Sequence, residues 1–171
     1  MNVKASFKKA TLLNLNTRKQ MFNLFSEYYE GVQWSVFNSD LDEKDTIIIL
    51  TDYQSGAICG FSTLVAARVT ASGKNVIGVF SGDTLLVRKY WGSPVLGIAF
   101  LSYLFFLKIR NPFTPVYWFL ISKGYKTYLL MAKNFKNYYP NHCFSTPIFE
   151  KNLMDKFYGD KFFSRYEPVK G

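Results

Sequence analysis

The segment from Asn75 to Ile109 has the residue types and the order of a phosphate-binding strand, loop and helix. It consists of an apolar strand, NVIGVFSGDTLLV, a loop with one glycine, RKYWGSP, and an apolar helix, VLGIAFLSYLFFLKI. A loop that enters a helix directly aims several backbone N–H groups at one point, and the N-terminus of the helix favours negative charge there. The segment therefore predicts a site for a phosphorylated ligand.

One acidic residue lies inside this strand. Asp83 is the only Asp or Glu between Asp52 and Glu150, and it follows Gly82 in an otherwise apolar stretch. A glycine within a strand often marks a β-bulge or a close approach of the backbone. Burial there would raise the pKa of Asp83 towards values useful to a general base. A surface position at a bulge, or an ion pair with a nearby basic residue, is the alternative.

His142 and Cys143 are the other residues with nucleophilic or acid–base chemistry. His142 is the single histidine, and Cys59 and Cys143 are the two cysteines. Neighbours in a chain seldom face one another, and no third group is evident to orient this pair. An exposed loop histidine is the simpler interpretation, and the cysteine spacing predicts no metal site.

The composition predicts one domain, residues 1–171, with an anionic partner. The net charge is +9, but the basic residues are scattered and no run of five occurs, which argues against a nucleic-acid-binding tail. A phosphorylated cofactor, an acidic carrier protein and an acidic membrane surface all remain compatible. Aromatic residues make up 19% of the chain, which predicts a bulky core or an apolar pocket.

Targeting and membrane signals are weak. The opening MNVKASFKKA has no apolar core region of a signal peptide. The most hydrophobic stretch, 95–109, is only about half to three-quarters of a membrane span. We expect a cytoplasmic protein, with peripheral membrane contact left open.

Hydrophobic periodicity and turn residues predict an α/β fold with a mainly antiparallel sheet. The strand at 116–122 should be central and parallel to the strand at 75–87, because a helix connects the two. Residues 32–45 are irregular apart from one turn of helix near 40–45. The other predicted elements, in chain order, are a strand within 3–13, a helix with Thr17 as N-cap and Gly31 as its end, strands at 46–52 and 57–71, a helix at 95–109, a helix to about 135, and a helix from 146 to 159.

This order resembles the fold of the GNAT superfamily of N-acetyltransferases over roughly residues 10–140. In that family the fourth strand ends in a pattern like L-x-V-x-x-x-Y-R-G-x-G before the helix. Here the segment is LLVRKYWGSPVLG, in which Val87, Tyr90, Gly92 and Gly97 correspond to family positions. Two features depart from the pattern: Trp91 replaces a basic or amide residue, and 93–97 replaces the tight glycine spacing.

The resemblance implies an acyl donor carried as a thioester, either acyl-CoA or acyl-phosphopantetheine, as co-substrate rather than as a permanent cofactor. Small residues let backbone N–H groups approach its phosphates. The implied donor-binding residues are Val87, Arg88, Lys89, Tyr90, Trp91, Gly92, Ser93 and Gly97.

The resemblance also implies a mechanism. The fourth and fifth strands diverge, the thioester arm inserts between them, and backbone N–H groups near Ser81 to Asp83 polarise its carbonyl. An amine attacks directly, Asp83 accepts its proton, and Ser81 holds a water or the acceptor. Tyr128 is the implied acid that protonates the thiolate, with Tyr125 and Tyr138 as alternatives.

Beyond Pro140 the family usually has two more strands, whereas this chain predicts a helix and an aromatic, basic tail. That departure resembles branches that use long acyl chains, including N-acyl amino acid synthases, acyl-homoserine-lactone synthases and toxin-activating acyltransferases. An acyl carrier protein would then be the partner, and the acceptor would be a small-molecule amine or a protein lysine. The alternatives are a non-catalytic basic module for nucleic acid or an acidic membrane, using Lys8, Lys9, Arg18, Lys19 and the tail 156–165, or a degenerate structural partner.

Overall fold

The computed structural model describes residues 3–121 and 125–162. These residues form five strands and five α-helices. They are β1 (Val3–Lys9), α1 (Leu15–Ser26), α2 (Trp34–Asp42), β2 (Thr46–Asp52), β3 (Ile58–Ala71), β4 (Lys74–Leu86), α3 (Val95–Arg110), β5 (Val116–Leu120), α4 (Tyr125–Asn134) and α5 (Ile148–Phe162).

The strands form one mixed sheet in the order β1-β2-β3-β4-β5. The first four are mutually antiparallel, and β5 pairs with β4 in parallel after the α3 crossover. The predicted α/β class, the mainly antiparallel sheet and the parallel pair are therefore confirmed. The predicted central position of β5 is wrong, because β5 lies at the end of the described strand order. Ser122, where that strand was predicted to end, falls outside the described residues.

Alternation along the strands divides the core between the two faces of the sheet. On β2, Ile47 and Ile49 pack with α1 and α2, whereas Ile48 and Leu50 pack with α3. This period of two places a continuous apolar strand between helices on both sides. The single-domain assignment for 1–171 remains a prediction.

Three local predictions near the N-terminus are wrong. The N-cap of α1 is Asn14, whose Oδ1 accepts from the backbone N–H of Thr17 at 2.8 Å, so Thr17 lies inside the first turn. The helix also ends at Ser26, before Gly31. Residues 34–42, expected to be irregular, form α2 and bury Phe37 and Leu41.

The predicted irregularity at Gly82 is present in β4. The pairing with β3 passes from Ser62↔Thr84 to Leu64↔Ser81, which places one extra residue on β4. A Cβ on Gly82 would lie 2.6 Å from the Oγ1 atom of Thr63. The glycine is therefore required by close approach of the buried Thr63 side chain.

The C-terminal described element is the predicted helix, but it is longer. α5 continues through Gly159 to Phe162, so Gly159 does not end it. Its Leu153 is buried against the β3–β5 end of the sheet, and Phe157 stacks on Phe119 with ring centroids 3.7 Å apart. The aromatic tail beyond residue 162 falls outside the described residues.

A buried hydrogen bond fixes the loop between β4 and α3 to the sheet. The Tyr90 hydroxyl donates to Oδ2 of Asp52, the last residue of β2, at 2.6 Å. Asp52 also accepts from the backbone N–H and the hydroxyl of Ser55. The Tyr90 and Ser55 bonds hold the pKa of Asp52 well below its ordinary value, and the carboxylate in turn raises the pKa of Tyr90.

Replacing Tyr90 with phenylalanine should lower the melting temperature by several degrees, because the ionised Asp52 loses a charge-assisted donor. A carboxylate with a depressed pKa stabilises the fold above its ordinary pKa, and this contribution disappears as the pH falls through the depressed value. The difference between Tyr90→Phe and the unmodified chain should therefore shrink below about pH 4. Thermal unfolding measured against pH checks both expectations.

The matched control is Tyr53→Phe, on the turn that follows β2, where the ring is exposed. It should leave the melting temperature unchanged at every pH. Equal behaviour of the two variants would show that the Tyr90 bond does not stabilise the loop.

Candidate active site

β4 has an unpaired edge beyond its last bond to β5. The parallel pairs run from Ile77↔Val116 to Ser81↔Leu120 and go no further within the described residues. The N–H of Val87 donates to Cys59 O on β3 at 2.9 Å. Because strand groups alternate, the C=O of Leu86, the last residue of β4, faces the opposite, open side, and the N–H of Arg88 follows where the strand has ended.

Side chains occupy these two backbone groups. The indole Nε1 of Trp91 donates to Leu86 O at 2.7 Å, and the N–H of Arg88 donates to the Tyr28 hydroxyl at 3.3 Å. Trp91 is 61% exposed, so its ring is held by this bond and by the Arg88 guanidinium, which lies 5.8 Å from the ring centroid. The open edge is therefore capped by side chains that little packing holds in place.

The first turn of α3 leaves backbone donors open beside this edge. Ile98 N bonds to Pro94 O, and Val95 N reaches Ser93 Oγ at 3.4 Å. The N–H groups of Leu96 and Gly97 have no hydrogen-bond partner among residues 3–121 and 125–162. A Cβ on Gly97 would meet nothing within 4 Å, so no packing requires a glycine there. Such a helix N-terminus suits an anion.

The preceding loop is a tight turn in which three backbone N–H groups bond within the loop itself. The N–H groups of Tyr90, Trp91 and Ser93 donate to the carbonyl oxygens of Val87, Arg88 and Tyr90. Gly92 has φ +84°, a left-handed conformation that favours glycine. Three of the amides between Tyr90 and Gly97 are therefore already satisfied, so fewer of them can bind a phosphorylated ligand than the sequence predicted.

The eight predicted donor-binding residues consequently divide by role. Arg88 and Lys89 are exposed and carry positive charge beside the helix N-terminus. Val87 and Tyr90 pack into the core beneath the loop. Gly92 shapes the turn, and the Ser93 hydroxyl accepts at the start of α3.

Ser81 and Asp83 flank Gly82 where β4 leaves β5, and both are half-buried. The Ser81 hydroxyl accepts from Trp118 Nε1 at 3.0 Å, which ties the last paired residue of β4 to β5. Asp83 lies on the segment that β5 does not pair. The two residues therefore lie where the pairing of β4 with β5 ends, and their chemical roles stay predictions.

Tyr128 lies on α4, the helix that follows β5. Its hydroxyl donates to Pro140 O at 3.1 Å, and its ring meets the Tyr138 ring edge-on at 5.8 Å between centroids. Desolvation and the neighbouring Tyr138 raise the pKa of Tyr128. To protonate a thiolate, this hydroxyl must leave the Pro140 carbonyl.

Several residues near the site carry no signal in the sequence. Tyr28 reaches Arg88 across 60 positions of chain, and no local pattern predicts that contact. The ammonium of the buried Lys44 lies 2.6 Å from the carboxylate of Asp40. The sequence shows that the two residues are four positions apart, but it does not show that Lys44 is buried. Thr63 Oγ1 is buried against Gly82 and has no hydrogen-bond partner within the described ranges.

No protein-family model matches the chain, and no curated protein matches it. Solved structures do match. An integron cassette protein from the mobile metagenome of V. cholerae superimposes with a TM-score of 0.56 at 13% identity, over 92% of this chain and 98% of that one. The aminoglycoside N-acetyltransferase AAC(6')-Iy, solved with a bisubstrate analogue, CoA-S-monomethyl-acetylneamine, gives a TM-score of 0.56 at 9% identity, over 84% and 98%.

An aminoglycoside acetyltransferase from an uncultured soil metagenomic sample, solved with sisomicin, gives a TM-score of 0.53 at 11% identity, over 86% of this chain and 97% of that one. Identities this low are evidence for the fold alone. The end of the β4–β5 pairing, followed by a loop and the N-terminus of α3, has the chain order that the resemblance implies. The chain therefore has the GNAT fold of N-acetyltransferases.

Proposed function

We propose that this protein transfers an acyl group from an acyl-CoA thioester to an amine on a small molecule. One observation carries the proposal: the edge of β4 that β5 leaves unpaired lies beside unsatisfied N–H groups of the α3 N-terminus. An extended amide-containing chain is recognised by an open strand edge, and a phosphate by a helix N-terminus. Coenzyme A combines both features in one molecule.

The residues divide the donor between them. Leu86 C=O and Arg88 N–H offer an acceptor and a donor to the amides of the pantetheine arm. The N–H groups of Leu96 and Gly97 face the pyrophosphate, and the charges of Arg88 and Lys89 add attraction. Acyl-CoA is here a co-substrate that arrives and leaves with each turnover.

The chemistry is direct aminolysis of the thioester. The amine nitrogen attacks the carbonyl carbon, and backbone N–H groups between Ser81 and Asp83 stabilise the developing oxyanion. As the C–S bond breaks, Asp83 takes the proton from the attacking nitrogen and Tyr128 gives its proton to the leaving thiolate. No covalent enzyme intermediate forms.

The acceptor is proposed to be a cationic small molecule. Two of the structural neighbours were solved with the bisubstrate analogue CoA-S-monomethyl-acetylneamine and with sisomicin. In this chain, six of the twelve acidic residues lie between 27 and 45: two before α2, two within it, which are in salt bridges, and two after it. Their charge would attract an ammonium group towards the α1–α2 side of the sheet. A protein lysine is the second acceptor that the proposal allows.

The aromatic residues, which first pointed to a long acyl chain, are engaged in packing. Phe22, Phe25, Trp34 and Phe37 contact one another, with ring centroids 5.3–6.5 Å apart. Phe119 of β5 likewise contacts Phe157 and Tyr158 of α5. These rings stabilise the core, so the aromatic content no longer favours a carrier-protein donor over coenzyme A.

The direct test is thermal unfolding with coenzyme A and acetyl-CoA, with nucleic acid as comparison. Ligands above their dissociation constants should raise the melting temperature, because they bind only the folded chain. A shift with nucleic acid and none with thioesters would favour the non-catalytic alternative and contradict the proposal.

A Gly97→Ala variant should separate ligand binding from stability. The added methyl group meets open space in the protein and should raise the helix stability by about 0.5–1 kcal/mol. It would, however, stand where the phosphate approaches, so we expect acyl-CoA affinity to fall about tenfold, the value of one hydrogen bond. Isothermal titration measures the affinity.

The matched control is Gly159→Ala on α5, which also meets nothing within 4 Å. It should gain similar stability and keep full affinity. Unchanged affinity in Gly97→Ala as well would remove the α3 N-terminus as the phosphate site.

The two side chains that bond to the backbone of Leu86 and Arg88 lead to an unusual expectation for two other variants. Trp91→Phe removes the donor to Leu86 O, and Tyr28→Phe removes the acceptor for Arg88 N–H. Each variant frees a backbone group that can then bond to the acyl-CoA molecule, so each should tighten acyl-CoA binding by a few-fold. Tyr29→Phe, at the next position, is the control and should bind as the unmodified chain does. Weaker binding in Trp91→Phe would mean that the indole contacts the donor instead of competing with it.

Asp83→Asn should reduce kcat by about 10²–10⁴ with little change in KM for acyl-CoA, because proton removal fails while donor binding persists. Steady-state assays of thiol release measure both values. Asp160→Asn, at an exposed ion pair on α5, serves as the control. Full activity in Asp83→Asn would remove this residue as the base.

A further inference from the structure

Helix α3 has one face that nothing in the described chain covers. Its inner side chains, including Phe100, Tyr103 and Leu107, pack on the sheet. The opposite side chains are large and apolar, and they are between 48% and 68% exposed. We call this set, together with the 97%-exposed Phe113 in the following loop, the outer face of α3. Its members are Ile98, Leu101, Phe105, Phe106, Ile109 and Phe113.

The polar groups near this face are satisfied by the chain itself. The Ser102 hydroxyl donates to Ile98 O at 2.8 Å, and the Asn111 amide donates to Leu107 O at 3.0 Å. The Lys108 ammonium donates to the carbonyl oxygens of Pro112 and Thr114 at the helix C-terminus. Internal satisfaction is what an apolar medium requires, whereas a protein partner is usually met by hydrogen bonds across the interface. The pattern favours lipid over protein.

Charge around this face favours an anionic lipid. Lys108 and Arg110 lie on α3 itself, and the sequence segment 84–149 that contains α3 has eight basic residues and no acidic one. The Arg110 guanidinium lies 4.2 Å from the Phe106 ring centroid, at the edge of the apolar set. Basic side chains beside interfacial aromatic residues bind phosphate headgroups. A second copy of the chain would bring the same positive charge to the contact and be repelled.

We propose that the outer face of α3 docks on an anionic lipid bilayer. Its apolar side chains enter the boundary between headgroups and acyl chains, and Arg110 meets lipid phosphates. The contact is peripheral, since no helix among the described residues is long and apolar enough to cross a membrane. α3 begins directly after the loop at 88–94, so a docked helix about 24 Å long holds that loop at the membrane surface.

Flotation of the full chain with vesicles tests this docking without any thioester. Vesicles of phosphatidylcholine with added phosphatidylglycerol should carry the protein, and the bound fraction should fall as salt rises. Vesicles of phosphatidylcholine alone should carry much less. No binding to the anionic vesicles, or equal binding to both kinds, would overturn the proposal.

The double variant Phe105→Ser/Ile109→Ser should lower the partition onto anionic vesicles about tenfold or more, because two apolar side chains no longer leave water. Both positions are exposed, so the melting temperature and its shift with acetyl-CoA should stay unchanged. Val36→Ser, at a 63%-exposed position on α2 across the sheet, is the matched control and should bind normally.

Light scattering after size exclusion separates the remaining interpretation. A monomer in both the unmodified chain and the double variant supports lipid docking. A dimer that the double variant loses would show that the outer face of α3 joins two copies, and it would overturn the proposal. Vesicle binding that survives the double variant would overturn it as well.

Discussion

Within the described residues, β4 pairs with a strand on one side only after Ser81. Backbone N–H and C=O groups need partners, and a strand edge that lacks them must find water, side chains or a ligand. In this chain the Trp91 indole and the Tyr28 hydroxyl partner two of the open groups. This one-sided pairing is linked to three features: the bulge at Gly82, the end of β5 and the placement of α3.

The loop after β4 is held in place by contacts distant in sequence. Tyr90 is anchored to Asp52, at the end of β2, and Arg88 meets Tyr28 in the connection after α1. The loop after β4 is therefore bonded both to the end of β2 and to the connection after α1. Three N–H groups of the turn at 88–93 bond within the loop, whereas those of Leu96 and Gly97 in the first turn of α3 have no hydrogen-bond partner among the described residues.

Local chemistry was sufficient to predict the elements around the site. The β-branched run at 46–52 forms β2 with the predicted bounds, and the apolar run from Val95 forms α3 to within one residue. The errors arose where two local signals compete. Asn14 and Thr17 are both good N-caps, and α2 is short, with its apolar residues spread over only two turns. β5 looked central because apolar runs usually are, but α5 supplies its cover instead.

The candidate site was predictable only in part, for the same reason. A glycine within a strand indicates a bulge, but the side chain that requires this glycine, Thr63, lies on another strand. The Tyr90 and Asp52 pair spans 38 positions, and nothing local to either residue indicates it. The sequence thus located the loop and the residues at the divergence of the strands, while the side-chain partners that tune them required the fold.

Charge is distributed unequally across the sheet. Residues 15–45, which include α1 and α2 on the face with Ile47 and Ile49, hold six acidic and three basic residues, whereas the stretch that includes α3 on the other face holds no acidic one. The opposite net charges of these two layers contribute an electric dipole roughly perpendicular to the sheet. In the field of a charged surface such a dipole experiences a torque, so the protein is turned before it touches, and the fraction of productive encounters rises at low ionic strength.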